Sequence, residues 1–399
     1  MNLAPILLIL LAPVAGLLSL PLLSDLLVIA RAGRSRRIRQ APTGDGSGSR
    51  LLFLVPAHNE SLLVGACVRS LVGMERRHSS SDVVVIADNC TDDTAEVSAA
   101  AGATVLDRVD LLRRGKPHAI DWALGQLPVS QYDAVVIIDA DTVVDAGFAD
   151  ALSAHAPLRD IAVQAYFGIS NERDSWLSLL AGLLTKVRYE GQYLAKSSAE
   201  LNCPLTGNGM CLGTALLARV GWAPDSLTEN WELYARCTAR GETIRFARGA
   251  LLYSQEARTL EQSSTQRKRW QAGRFKVLSD YWRDIVGSKV ITWHQKIDAL
   301  AELSSPGPVL GATFGALGAA LLWQLPGGAA RVLAIALLLS MLPMVTWTLI
   351  VLVKQPNRGA IAVAFLRLPV YIVWRVAVAA LALTTGARGV WHRSPRHSP

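Results

Sequence analysis

The chain has no CxxC pair and no histidine at zinc-finger spacing. Its five cysteines, Cys67, Cys90, Cys203, Cys211 and Cys237, form an odd set that reads as free thiols in the cytoplasm rather than a disulfide framework. It has no GxGxxG and no P-loop, which removes the usual dinucleotide and ATP fingerprints. No internal repeat runs through it, and no nucleic-acid module accompanies its net charge of +8. No lysine or arginine precedes the first apolar run, residues 4 to 30, and that run is longer than a signal-peptide core, so a cleaved leader is disfavoured. Charged residues make up only 18% of the 399, against 51% hydrophobic, and the mean hydropathy is +0.29. Part of the chain therefore belongs in lipid.

Residues 4 to 30 carry a single charge, Asp25, and are long enough to span a bilayer with some tilt. The RAGRSRRIRQ that follows, with Arg31, Arg34, Arg36, Arg37 and Arg39, marks a cytoplasmic end and predicts that the bulk of the chain faces the cytoplasm. Runs 308–325 and 332–353, separated by QLPGGAAR, predict a helical hairpin. Run 359–383 holds Arg367 and Arg375 near its middle, which is costly for a lipid-facing span and easier for an interfacial helix. Both readings stand; the interfacial one keeps Arg388, Arg393 and Arg396 on the cytoplasmic side. Much of the positive charge lies near these segments, which makes acidic lipid headgroups the expected partner and not nucleic acid.

The expected organisation is a transmembrane anchor over 1–31, a basic flexible linker over 32–49 and a cytoplasmic α/β domain over 50–260. After it come an interfacial segment over 261–305, a transmembrane hairpin over 306–353, and an interfacial or transmembrane helix with a basic tail over 354–399. Within the middle domain, strand-like runs 51–57, 82–88, 103–107 and 134–141 alternate with helix-like runs 60–73, 92–102 and 116–127. Such alternation predicts an open, mostly parallel sheet with helices on both faces. Ligands of such sheets bind at the carboxyl ends of the strands, where HNE (58–60), DNCTDD (88–93) and DAD (139–141) converge.

The run VVIIDADTVVD (135–145) ends a core strand in Asp139 and Asp141. Two carboxylates one residue apart at a strand end can face one hard cation, and Mg2+ commonly takes one or two carboxylates and leaves its other positions to water and phosphate oxygens. A turn aspartate beside a helix cap is the plain alternative.

PAHNE after the first strand, ADNCTDDT after the second, RGKPHAID at 114–121, DADT at 139–142, GNGM at 207–210, TENWEL at 228–233 and QRKRW at 266–270 occur in one order. Together they resemble the membrane-bound family 2 glycosyltransferases, the branch that includes cellulose, hyaluronan and poly-N-acetylglucosamine synthases, over roughly residues 50 to 285. The resemblance implies a GT-A type fold, an inverting transfer from a nucleotide sugar, a uridine diphosphate sugar above all, and a Mg2+ or Mn2+ cofactor. It implies that Pro56, Glu60 and Asp88 line the nucleotide pocket, with Asp88 accepting from the base. Lys116 would stand near the diphosphate, Asp139 would meet ribose or metal, and Asp141 would bind the metal. Gln266, Arg269 and Trp270 would hold acceptor or diphosphate. Arginine clamps phosphate and tryptophan stacks on sugar or base, although an interfacial Arg/Trp anchor has the same composition. Gly207 and Gly209 suit a sugar-binding loop or an ordinary turn.

The resemblance departs at the base. Relatives present Thr-Glu-Asp where this chain has Thr228, Glu229 and Asn230, and an amide does not take a proton as a carboxylate does. Glu229 or Glu232, which share a helix face, would replace it; or the acceptor is already anionic, such as a lipid phosphate; or catalysis is lost, leaving a non-catalytic nucleotide-sugar-binding or assembly subunit. The expected acceptor is a lipid, a membrane-held glycan or a growing polysaccharide. So few membrane segments make a thin pore for one protomer, which leaves a dimeric one open.

Overall fold

The computed structural model describes residues 4–32, 48–77, 79–226 and 228–385. Arg34, Arg36, Arg37 and Arg39, most of the expected linker, and Arg388, Arg393 and Arg396 lie outside the described residues.

Eight strands form one sheet: β1 (Ser49–Ala57), β2 (Ser79–Asp88), β3 (Thr104–Arg108), β4 (Ala134–Ile137), β5 (Val143–Val144), β6 (Ala162–Ile169), β7 (Met210–Gly213) and β8 (Ile244–Ser254). Their order across the sheet is β3-β2-β1-β4-β7-β6-β8-β5. The first four run parallel, as the alternation predicts. The second half is mixed: β7 is antiparallel to β4 and β6, and β5 to β8, while β6 and β8 are parallel. The expected mostly parallel sheet is borne out, with four of the seven pairings parallel. The antiparallel pairings lie in the second half, where β7 follows a helical excursion and re-enters the sheet from the opposite end.

LLFLV of β1, VVIA of β2 and AVVI of β4 are almost wholly buried because helices cover both faces. Successive side chains point to opposite faces. Leu52, Leu54 and Ile137 join Tyr193 and Tyr234 on one side, and Leu51, Phe53 and Val136 join Phe148 on the other. Gly115, at φ 104, turns the chain sharply into the helix Lys116–Gln126, whose first turn holds Pro117.

The helix Trp176–Lys186, opened by a Ser175 capping box, continues through a π-helical stretch, Val187–Tyr193, into Leu194–Ser198. The QRKRW segment lies within a long helix, Leu260–Gly287. That helix passes so close to the start of the helix Glu229–Ala239 that a Cβ on Gly273 would stand 2.3 Å from Thr228 Cγ2.

Among the described residues, two helices are long and apolar enough to cross a membrane, Ala12–Arg31 and Gly328–Val353. Two bent pairs reach that length only together: Trp293–Ser304 with Pro308–Trp323, bent by 90°, and Arg358–Phe365 with Leu368–Leu381, bent by 57°. The expected hairpin is packed through Ala319, Leu322, Ala334 and Leu337, with Ala15 of the N-terminal helix against it. Its first arm has 16 residues, about 24 Å of helix against a hydrocarbon core of about 30 Å. Leu26, Ile29, Ile335, Leu349 and Val373 point outward, as side chains facing lipid would. Arg367 and Arg375, awkward in the sequence, both turn to protein: Arg367 stands 5.8 Å from the Trp176 ring and Arg375 is 9% exposed.

The membrane-type helices are fastened to the α/β domain by one buried ammonium. Lys196 Nζ lies 2.6 Å from Asp298 Oδ1 and 3.2 Å from Glu302 Oε2, and Ser24 Oγ of the N-terminal helix donates to the same Asp298 oxygen at 2.7 Å. Lys196→Met would leave two buried carboxylates short of their counter-charge. It should lower stability by about 3–5 kcal/mol, read as a lower thermal-unfolding midpoint in detergent.

Candidate functional site

The rim at the carboxyl ends of β1, β2 and β3 is stitched by asparagines. Asn59 and Asn89 sit in the left-handed region at φ 54 and 53, a conformation asparagine tolerates. Asn59 Oδ1 accepts from the Thr91 amide at 2.7 Å, and Asn89 Oδ1 from the Asp110 amide at 2.8 Å. His58 Nδ1 lies 2.7 Å from the Asp88 carbonyl oxygen. Pro56 sits near the end of β1, and Glu60 is buried, its amide donating to Thr94 Oγ1 at 2.8 Å. Asp88 is buried too, and its Oδ1 accepts from Arg108 Nη1 at 2.5 Å and Asn89 Nδ2 at 2.9 Å. The oxygen expected to face a nucleotide base is therefore also half of a buried ion pair.

Asp139 follows the end of β4. Its amide donates to Asn208 Oδ1 at 3.2 Å, and its Oδ1 takes Lys116 Nζ at 2.5 Å. Lys116 donates also to the Gly207 carbonyl at 2.5 Å, so the helix start, the strand end and the GNGM loop meet at one ammonium. Burial works against that charge, but Asp139 and then Glu229 outweigh it and hold the Lys116 ammonium above its usual range. Arg269 lies near enough to oppose it. Asp141 Oδ2 accepts from Ser254 Oγ at 3.1 Å, at the end of β8.

The GNGM loop is folded tightly beneath these carboxylates. Gly207 and Gly209 have φ of 90 and 68, and a Cβ on Gly209 would stand 2.3 Å from Leu252 Cδ2. Asn208 Nδ2 donates to Thr142 Oγ1 at 2.8 Å. Gln164, fully buried in β6, donates to the Asn208 carbonyl at 2.8 Å and accepts from the Thr206 amide at 2.9 Å. Gln164 belongs to none of the sequence motifs, although a lone amide inside the apolar AVQAYFGI is a visible signal. In GNGM the asparagine is as much a structural part as the two glycines.

At the helix Glu229–Ala239 the three acid-position residues separate. Asn230 Nδ2 donates to the Leu205 carbonyl at 2.8 Å, pinning the loop that leads into GNGM. Glu232, expected to share an acceptor with Glu229, instead accepts from Tyr281 at 2.7 Å and lines a different cleft with Trp222, Arg236 and Lys276. Tyr281, contributed by the long helix, draws it there. Glu229 alone remains beside Lys116.

A cavity of about 480 Å3 opens at Asp139, Asp141 and Asn230, takes in Gln266 and Trp270, and runs on to Leu17 and Pro21 of the N-terminal helix and Met341 and Met344 of the hairpin. It does not include Glu60 or Asp88, which lie on the nucleotide side of the rim. Among the described residues no group of three or more His, Cys, Asp or Glu converges as a metal site. Asp139 and Asp141 offer hard oxygen donors only. That set fits a Mg2+ or Mn2+ that takes one or two carboxylates and fills the rest of its shell with water and phosphate; it does not fit zinc.

A sheet of this topology, with an Asp-x-Asp turn at the end of β4, defines a GT-A type glycosyltransferase fold. The family model described as "Glycosyltransferase like family 2" matches residues 49–273, and the chain belongs to that family. It is 26% identical over 260 residues to the beta-monoglucosyldiacylglycerol synthase of Nostoc sp. strain PCC 7120, covering 62% of this chain and 53% of the relative. It is 22% identical over 236 residues to the Bacillus subtilis protein described as "Probable glycosyltransferase YdaM", covering 56% and 55%. The chain thus spans about half the length of the curated relatives it matches. Among solved structures, the mannosyltransferase PcManGT of Pyrobaculum calidifontis, in complex with GDP-Man and Mn2+, superposes with a TM-score of 0.53 at 18% identity. That likeness covers 93% of this chain and 99% of that one, and it is a likeness of fold.

Asn230→Asp, the change that restores the relatives' residue, would set a carboxylate oxygen against the Leu205 carbonyl in place of a donor. It should cost about 1–3 kcal/mol in thermal unfolding and bring no gain in nucleotide release.

Proposed function

We propose that this chain is a membrane-anchored, inverting glycosyltransferase that moves a sugar from a nucleotide sugar, a uridine diphosphate sugar by its motifs, to a membrane-held lipid acceptor. Residues 50–260 would form the transferase domain, facing the cytoplasm, and the apolar helices on either side would hold it at the bilayer. The observation that carries this reading is the cavity that joins Asp139 and Asp141 to the N-terminal helix and the hairpin without a break. A soluble acceptor has no need of apolar walls. The Nostoc relative, a beta-monoglucosyldiacylglycerol synthase, supports the same direction. The motif order that resembles the polymer-forming branch serves a single transfer to a lipid equally well.

Asp139 and Asp141 would hold Mg2+ or Mn2+, which when bound neutralises the charge that builds on the leaving diphosphate. Lys116, kept cationic by Asp139 and Glu229, adds a point charge at the same place. Pro56, Glu60 and Asp88 would line the nucleotide side, with Asp88 fixed in direction by Arg108. The GNGM backbone, through Gly207 and Gly209, lets the sugar approach the sheet closely. Gln266, Arg269 and Trp270 would border acceptor and diphosphate, and Trp270, 42% exposed, is free to cover the donor from water. For a hydroxyl acceptor Glu229 is the carboxylate at hand to take the proton; Asn230 and Glu232 are engaged elsewhere.

Purified full-length protein in nanodiscs, given a panel of nucleotide sugars and membrane lipid extract, should release nucleotide with one donor. Chelation of divalent metal, or Asp141→Ala, should lower the rate by about 100-fold or more. Donor binding with no release under any of these conditions would instead mark a non-catalytic nucleotide-sugar-binding or assembly subunit.

A further inference from the structure

The wall of the cavity carries five arginines: Arg258, paired with Asp174 at 2.7 Å, Arg188 of the π-helical stretch, Arg267 and Arg274 of the long helix, and Arg375 of the last helix. The wall also carries Glu256, Glu302 and Asp25. Glu256 lies 3.4 Å from Arg267, and Glu302 is held by Lys196 at 3.2 Å. Among the described residues Arg188, Arg274 and Arg375 have no carboxylate within 4.0 Å. Arg274 donates to the Ser305 carbonyl at 2.6 Å and stands 4.1 Å from the Trp231 ring, which fixes it without neutralising it. Arg267 and Arg375 each stand 6.0 Å from the Trp374 ring centroid. Burial, and next the charge of Arg188, pull the Arg274 guanidinium down to about 10, with Glu302 and Tyr193 opposing the fall in part and Arg375 adding to the repulsion.

Guanidinium groups gathered in a buried cleft with no carboxylate in contact are costly unless something anionic completes the set. Arginine rather than lysine points to the planar, two-pronged hydrogen bonding that phosphate accepts. One cavity thus brings carboxylates, guanidinium groups and apolar helices together. An amphiphile with an anionic head and an apolar tail suits such a wall.

We propose that Arg188, Arg274 and Arg375, with Arg267, form the acceptor-head site, and that the acceptor is a lipid bearing a phosphate monoester. This rests on the transferase reading above and names the acceptor class for that same cavity. An oxygen of the acceptor phosphate attacks the anomeric carbon and forms the new carbon–oxygen bond. The bond from that carbon to the donor diphosphate breaks, and its electron pair leaves on the diphosphate. No proton is transferred, so an amide at Asn230 costs the reaction nothing.

The test is equilibrium binding to full-length protein in zwitterionic nanodiscs, without donor or metal. The probes are dodecyl phosphate, dodecanol, dioctanoylglycerol and inorganic phosphate, and uridine and guanosine diphosphate sugars are titrated with Mg2+ on parallel samples. The expected result is dodecyl phosphate binding at least about tenfold tighter than any other acceptor probe. Arg375→Gln and Arg274→Gln should each weaken it about tenfold, and Arg375→Lys less, with donor affinity unchanged in all three. Equal binding of dodecyl phosphate and dodecanol by the unaltered protein overturns the anionic site whatever the variants do. Equal binding of inorganic phosphate overturns the lipid assignment. Loss of donor binding in the unaltered protein would sink the transferase reading instead, and the two failures are thereby told apart.

Discussion

The buried ammonium of Lys196 decides how the two halves of this protein sit together. It stands at the end of the helical excursion between β6 and β7, and its partners Asp298 and Glu302 belong to the helix that leads into the hairpin. Ser24 brings the N-terminal helix to the same carboxylate. Taking three charges out of water costs several kcal/mol each, a cost that the ammonium's contacts with both carboxylates offset. Val28 packs with Ala199 and Leu201 beside it. Although a Gly- and Ser-rich stretch precedes β1, the anchor is docked onto the domain by packing and not merely tethered to it.

Docking in that place closes one side of the cleft at the carboxyl ends of the strands. Without the apolar helices, Asp139 and Asp141 would lie on an open rim like that of any parallel sheet. With them, the rim becomes part of a cavity whose wall combines hard anionic donors, guanidinium groups and hydrocarbon. The long helix contributes most to this, because Gly273 lets it lie against Thr228 while it presents Gln266, Trp270, Arg267 and Arg274 to the interior.

The rim itself owes its rigidity to side-chain amides. Asn59, Asn89, Asn208, Asn230 and Gln164 each bond the backbone of a neighbouring loop, and they hold the carboxylates without adding charge of their own. Asn230 stands where relatives carry an acid. Here its amide donor is in use as a brace, a role that a carboxylate cannot fill toward a carbonyl.

Local chemistry was legible in the sequence because it depends on neighbours along the chain. The alternation of β-branched runs and helices gave β1 to β4 in parallel, DAD gave paired oxygen donors at a strand end, and GKP gave a cation at a helix start. Long-range pairing was not legible. Nothing near Asp88 announces Arg108, nothing near Glu232 announces Tyr281, and the antiparallel entry of β7 follows from how a long excursion folds back. Arg375 was visible as a costly charge in an apolar run, but only packing turns it toward Arg267 and Arg274. The sequence by itself determined the family, the first four strands and the carboxylates at their ends, since these are matters of residue type and spacing. Tertiary structure decided which acid remains beside Lys116 and what fills the wall of the cavity, because both depend on side chains that meet only when distant helices pack.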